Sequence, residues 1–211
     1  MRIESIGDNC ELGFVQRACN LEPGGLLRWA TTPPEGLLKL LKQDFAGLYQ
    51  FENLEPANAG MVRDRAYNIA FHTQLTSTDG VFNASEAERR RIHAQESGKI
   101  QYLTGKLRQR LAEGSVLFIY KRNKRIPDAQ IFEIGTEIAR RGPGQLLYVT
   151  DNAPALLPGE MRRISGNTHI GRMTRFAPYN RANDIDLDAW LGLLDNARQR
   201  IPLPEEAAPG A

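Results

Sequence analysis

The chain is predicted to fold as a single α/β domain. A central parallel or mixed sheet is flanked by helices, and a nucleophile sits at a strand-turn-helix junction. Three observations carry this expectation. Val116-Leu117-Phe118-Ile119-Tyr120 and Leu146-Leu147-Tyr148-Val149 are continuous apolar runs of the kind buried on both faces of a parallel sheet. Helical periodicity stands before and between them, giving the strand-helix alternation of α/β folds. At the start of the chain, a short apolar strand breaks through Gly7-Asp8-Asn9 into a helix that opens with Cys10.

Arg2 to Ile6 reads as the first strand. Cys10 to about Asn20 reads as a helix with Cys10, Phe14 and Ala18 along one side, ended by Glu22-Pro23-Gly24-Gly25. Leu26 to Ala30 is a short apolar run, and Pro33-Pro34 introduces a helix from about Glu35 to Lys42. Asp44 to Gly60 has little regular pattern and is expected to be a loop over the site. Met61 to His72 alternates loosely and reads as one or two strands, a hairpin in the second case.

Asn83-Ala84-Ser85-Glu86 offers a cap for the longest helix, which runs to about Glu113 with Ile100, Leu103, Leu107 and Leu111 on one stripe. Gly114 stops it. A helix from Asp128 directs Ile131, Ile134 and Ile138 inward and closes at Gly142-Pro143-Gly144. Met161 to Ile164 reads as a short edge strand, and His169 is placed in a loop beginning at Gly166. The last helix spans about Leu187 to Arg200. The domain is expected to cover residues 1–202, with 203–211 a flexible Pro/Ala/Glu-rich tail.

With 211 residues, 41% hydrophobic and 25% charged, the chain is long enough for one substantial core. A net charge of +2 does not call for nucleic acid. There is no 18-residue apolar run, so no membrane span is expected, and Met1 leads straight into a strand rather than a signal peptide. A cytoplasmic location is the resulting expectation. Cys10 and Cys19 lie about 13 Å apart along one predicted helix, too far for a disulfide. Three histidines without a Cys-x-x-Cys pair argue against a structural zinc site, and no cofactor or metal is expected.

Cys10 is the best-placed reactive residue. The positive end of its helix is expected to favour the thiolate and lower the thiol pKa. A nucleophilic cysteine needs a base and then an orienter for that base. His93 lies within the Arg89-Arg90-Arg91 helix, reads as part of a solvated face and is set aside. His72, at a predicted strand end, and His169 both remain. Asp151, Asn152, Asn167 and Asp184 are available as orienters, and spacing does not choose among them; Asp151, at a strand end, is carried as the catalytic candidate.

Oxyanion donors are sought at the turn: the backbone N–H of Cys10 or Glu11 and the side chain of Asn9. Asp8 reads as a turn or cap residue. Arg28, Lys121, Arg122 and Arg175 are candidate cations for an anionic substrate. The carboxyl ends of three strands, at Gly7–Cys10, Lys121–Asn123 and Thr150–Asn152, are expected to converge on one crevice.

The stretch Glu4-Ser5-Ile6-Gly7-Asp8-Asn9-Cys10-Glu11-Leu12-Gly13, followed by Leu26-Leu27-Arg28-Trp29, resembles the bacterial papain-like cysteine peptidase domain family. It is most similar to a subgroup with a Gly-Asp-Asn-Cys-Glu opening, found in bacterial proteins of which some also carry glycosyltransferase modules. Ala70-Phe71-His72-Thr73 and Arg175-Phe176-Ala177-Pro178-Tyr179 extend the resemblance, which covers residues 3 to about 195. It implies a cysteine-histidine site with Cys10 as nucleophile and His72 as base. It also implies a hydrolase or acyltransferase acting on an acyl, amide or ester substrate in surface-polysaccharide metabolism.

The substrate would be a small molecule, a peptide or a carbohydrate; the oligomeric state is not read from the sequence. The alternative is a non-catalytic module that binds an anionic carbohydrate or nucleotide-sugar through the four cations above. Gly7-Asp8 also resembles the opening of SGNH-type esterases, a third and weaker reading, because the usual serine is absent.

Overall fold

Strands β8 (Val116–Lys121) and β9 (Gln145–Thr150) run parallel at the centre of the larger sheet, and every residue of β8 is buried. Their side chains alternate between two cores. Leu117, Ile119, Leu147 and Val149 face one; Phe118, Tyr120, Leu146 and Tyr148 face the other. Two-sided burial removes the polar alternation expected of a one-sided sheet, which is why these strands read as continuous apolar runs. The computed structural model describes residues 2–204. The sequence-based expectation of a flexible tail over 203–211 therefore lies, from residue 205 on, outside the described residues; Leu203 itself packs against the second core.

The five-stranded sheet has the order β1-β8-β9-β11-β10. β1 (Arg2–Ser5), β8, β9 and β11 (Thr168–Arg172) are parallel, and β10 (Met161–Ser165) runs antiparallel at the edge. Among the described residues five helices surround it: α1 (Glu11–Ala18), α2 (Pro34–Lys42), α3 (Glu86–Glu113), α4 (Asp128–Ala139) and α5 (Leu187–Arg200). Leu12 and Val15 of α1 and Trp190, Leu193 and Ala197 of α5 fill one core. Leucines of α2 and α3 and isoleucines of α4 fill the other. Ser85 caps α3 by accepting from the Glu88 N–H, and Gly114 ends it in the left-handed conformation. The α/β expectation is met, with a mixed sheet.

A second sheet, antiparallel and ordered β2-β5-β4-β3, was only partly foreseen. β4 (Met61–Asp64) and β5 (Ile69–His72) form the expected hairpin. Its turn is built on buried Asp64, which accepts from the N–H groups of Tyr49 (2.7 Å) and Ala66 (2.8 Å). The region from Asp44 to Gly60, expected to be a loop, contains a 3-10 turn at Phe51–Asn53 and strand β3 (Leu54–Asn58). Pro56 masks that strand; it is tolerated because β3 lies at the sheet edge. β2 (Ala30–Thr31) pairs with β5, and a two-stranded ribbon, β6 (Ser77–Thr78) and β7 (Val81–Phe82), completes the fold.

Two expectations about histidines are corrected. His169 lies in β11 rather than in a loop and is 5% exposed. His93 does not sit on a solvated face. Its ring stacks on Tyr49 at 5.6 Å and its Nε2 lies 2.8 Å from the Tyr49 carbonyl oxygen. Both cysteines are free, as expected; Cys19 is the residue that ends α1. Among the described residues no helix is long and apolar enough to cross a membrane.

Candidate active site

The turn between β1 and α1 is built by close approach. Gly7 has φ +144°, and a Cβ there would meet Tyr120 Cε2 at 2.6 Å, so only glycine fits. The Thr32 N–H donates to the Asp8 carbonyl (3.0 Å), and the Tyr120 hydroxyl donates to the Thr32 carbonyl (3.0 Å). Asn9 Oδ1 accepts from the Glu11 N–H (3.0 Å), satisfying one of the free donors at the helix start. Cys10 is the residue preceding α1, and its carbonyl accepts from Phe14 (3.1 Å).

His72 reaches this turn from the other sheet. It is the last residue of β5, following three buried residues, and its ring is exposed. β2 makes the connection: Ala30 and Thr31 pair with Phe71 and Ala70, and Thr32, next along the chain, binds the Asp8 turn. The second sheet is therefore clamped to the nucleophile turn one residue beyond the strand pairing. The Cys10 Sγ to His72 Nε2 separation is 3.6 Å, within hydrogen-bonding range for sulfur. Cys10 and His72 are the two candidate catalytic residues that the fold brings together.

The expected electrostatics of Cys10 are corrected. Burial pushes its thiol pKa up, and the nearby positive charge of Lys121 only partly opposes this. The helix start was expected to hold a thiolate; desolvation of sulfur under the turn favours the neutral thiol instead. Reactivity here consequently depends on a base to take the proton.

Lys121 is not on the surface. It is fully buried and its Nζ lies 2.6 Å from Glu11 Oε2, whose side chain is also fully buried. Trp190 Nε1 donates to the other Glu11 oxygen (3.0 Å), and Lys121 Nζ donates to Asn123 Oδ1 (2.5 Å). Asn123 Nδ2 donates in turn to the Ala177 carbonyl (2.7 Å). This network binds the first residue of α1 to β8, to α5 and to the segment before the 3-10 turn Tyr179–Arg181. Burial pulls the Lys121 pKa down while Glu11 and more distant Asp8 and Asp151 oppose it.

The other expected site residues divide sharply. Asp151 interacts with the charge of Lys121 at the ends of β8 and β9 and makes no contact with His72. Asn152, Asn167 and Asp184 are also engaged elsewhere: the Asn152 carbonyl accepts from Arg125, Asn167 bridges the Gly135 and Gly144 carbonyls, and Asp184 pairs with Arg175. Among the described residues, no carboxylate or amide contacts the His72 ring. The Glu11 N–H is already bonded to Asn9 and its carboxylate to Lys121, which withdraws Glu11 as an oxyanion donor. Asn9 keeps its candidacy, because its Nδ2 is buried with no hydrogen-bond partner.

Of the four candidate substrate cations, three are committed to structure. Arg28 is 3% exposed and donates to Glu22 and to the Gly13, Leu21 and Pro23 carbonyls, tying down the end of α1. Lys121 is in the buried pair, and Arg175 binds Asp184. Arg122 is partly exposed and its charge acts on Asp8 and Tyr179.

His169 lies three strands away from the strand that leads to Cys10. It pairs with Leu147, which through Ile119 is level with Ser5 at the carboxyl end of β1. The two are therefore separated across the sheet rather than along it.

A cleft of about 600 Å³ opens beside His72, with α1 and Trp29 on one side and α3 on the other. Glu96 of α3 was not anticipated from the sequence. Its carboxylate accepts from the Thr73 hydroxyl (2.8 Å), the Gln74 N–H (2.8 Å) and the Tyr49 hydroxyl (2.7 Å), fixing the backbone that follows His72. It lies in a helix dense with charge, where no spacing distinguishes it. Arg17, which is paired with Glu22, and Lys99 also line the cleft.

Buried Asp8 accepts from the Tyr179 hydroxyl. Burial pushes its carboxyl pKa above the ordinary 3.8, with Tyr179, Arg122 and Lys121 opposing. Between those two values the native state retains a proton that the unfolded chain has released, so stability falls as pH rises through the window. Asp8→Asn keeps an acceptor for Tyr179 and should remove this component. Urea unfolding of the two proteins from about pH 4 to about pH 7 should show a shallower decline in the variant.

No family model, curated protein or solved structure matches the chain. Function is therefore argued from the geometry of the site.

Proposed function

We propose that the protein is a cysteine-dependent hydrolase or acyltransferase in which Cys10 is the nucleophile and His72 the general base. The observation that supports this reading above others is the 3.6 Å approach of Cys10 Sγ to His72 Nε2, made between two separate sheets beside an open cleft. The site is a dyad. It retains the resemblance to papain-like cysteine peptidases as part of the proposal, without an orienting third residue. The non-catalytic alternative loses most of its basis, since Arg28, Lys121 and Arg175 are engaged within the protein.

In the first step, His72 Nε2 takes the Cys10 proton as sulfur attacks the substrate carbonyl carbon. The carbonyl π electrons move to oxygen, and the Cys10 N–H with Asn9 Nδ2 are the donors proposed to receive that oxyanion. The intermediate collapses to a thioester, and protonated His72 returns its proton to the departing alcohol or amine. Water, or an acceptor hydroxyl or amine, then attacks the thioester while His72 takes its proton. Sulfur leaves as a thiolate and is reprotonated by His72. The neutral resting thiol makes the first proton transfer essential rather than incidental.

The reading predicts a covalent acyl-enzyme. Mixing the protein with p-nitrophenyl acetate should release a burst of p-nitrophenolate equal to the protein concentration, with the acetyl group found on Cys10 by peptide mass spectrometry. Cys10→Ala should abolish the burst. Acetylation spread over surface lysines and unchanged in Cys10→Ala would refute the proposal.

A further inference from the structure

A second cavity, of about 350 Å³, lies at the β10 edge of the larger sheet, opposite the β1 edge that leads to Cys10, and has a wall chemistry unlike that of the His72 cleft. It is bounded by β10 and β11, the start of β9 and the end of α5. Among the described residues its charged lining residues are Arg162, Arg163 and Arg200, and no acidic residue lines it. Arg163 donates through Nε to the Gly166 carbonyl (2.5 Å), leaving its terminal nitrogens available. Arg162 and Arg200 have no ion-pair or hydrogen-bond partner among the described residues.

His169 forms part of the same wall. It sits directly opposite Arg163 in the β10–β11 pairing, is 5% exposed, and its Nδ1 is buried with no partner. The juxtaposition is unusual for a protein that pairs most of its other arginines with carboxylates. The end of α5 contributes a partial negative charge of roughly half a unit, well short of balancing three guanidinium groups. Three forked cations around a small concave space suit a tetrahedral anion with several oxygens, because guanidinium donors match phosphate geometry in pairs. The volume is near the lower end of small-molecule sites, enough for a phosphate group with a small organic portion.

We infer that the cavity between β10, β11 and the end of α5 binds the phosphate group of a small phosphorylated ligand through Arg163 and Arg200, with Arg162 at the rim. The site is independent of the Cys10–His72 proposal and separated from it by the width of the sheet, of which β1 and β10 are opposite edges.

The test uses inorganic phosphate and pyrophosphate as probes, with acetate at matched ionic strength as the control. Calorimetric titration should give saturable one-to-one binding of pyrophosphate, weaker binding of phosphate and none of acetate. In the proton NMR spectrum the His169 ring signal should move on titration, while those of His72 and His93 stay in place. Arg163→Gln/Arg200→Gln should weaken pyrophosphate binding at least about tenfold. Cys10→Ala should leave it unchanged. Arg200→Gln alone, an exposed change at a helix end, should weaken it about threefold and serves if the double variant does not fold. Absence of saturable binding, a shift confined to His72 or His93, or an affinity indifferent to the arginine substitutions would overturn the inference.

Discussion

His72→Asn is expected to lower turnover of an activated ester by about 10² to 10⁴-fold, the range associated with loss of a positioned general base. The size of this effect follows from the state of Cys10. If the start of α1 held a standing thiolate, removing the histidine would matter mainly for the leaving group. Burial instead keeps the thiol protonated, so the same substitution removes the acceptor for the first proton transfer. His72 is exposed at the end of β5, and the residues before it are held by β2 and β4. The variant should therefore fold with unchanged stability, and the loss should appear in kcat more than in KM. Rates equal to those of the parent protein would show that His72 is a bystander.

Lys121→Met is expected to be the most damaging single substitution to stability, at about 3–5 kcal/mol. The loss comes less from removing the attraction than from leaving Glu11 charged and buried, with only Trp190 donating to it. That is a large fraction of the total stability of a typical domain, about 5–15 kcal/mol. Glu11→Gln/Lys121→Met removes both charges and should recover most of the loss, which a urea-unfolding comparison of the two variants would show. The double variant also isolates the electrostatic contribution to Cys10: with the ammonium gone, the thiol pKa should rise further. If the single variant loses under about 1 kcal/mol, the pair is not a structural anchor for the nucleophile helix.

Much of the fold was legible because its signals are local. The continuous apolar runs of β8 and β9, the Ser85 cap and Gly114 stop of α3, and the glycine turn ahead of Cys10 each express a rule acting within a few residues. The failures share the opposite property. His169 reads as part of a loop because Gly166-Asn167-Thr168 precedes it; the strand forms there because β9 and β10 pair with β11 on both sides. Pro56 concealed β3, whose strand character depends on its place at an edge.

Charge was the least legible quantity at the site. Lys121 follows an apolar strand at the head of a basic stretch, which in one dimension resembles a solvated loop. Its partner Glu11 is 110 residues away in sequence. Arg28 was mistaken for a substrate ligand for the same reason, since its acceptors are mostly backbone carbonyls that no side-chain pattern reveals. The direction of the Cys10 shift was misjudged because the helix start is visible in sequence and desolvation is not. The pairing with His72, by contrast, was anticipated from the family resemblance, and the clamp from Thr32 to Asp8 supplies its physical basis.

The most direct test of the Cys10–His72 pair is the rate of Cys10 alkylation by iodoacetamide as a function of pH, followed by peptide mass spectrometry in the parent protein and in His72→Asn. Cys19 in the same molecule provides an internal reference thiol. If His72 activates the sulfur, Cys10 of the parent is alkylated at neutral pH faster than Cys19 despite its burial. His72→Asn should lose that advantage and react only as pH rises above the ordinary thiol range, as the burial of Cys10 requires. Superimposable profiles in the two proteins would contradict the account, because the imidazole would then have no part in activating the sulfur.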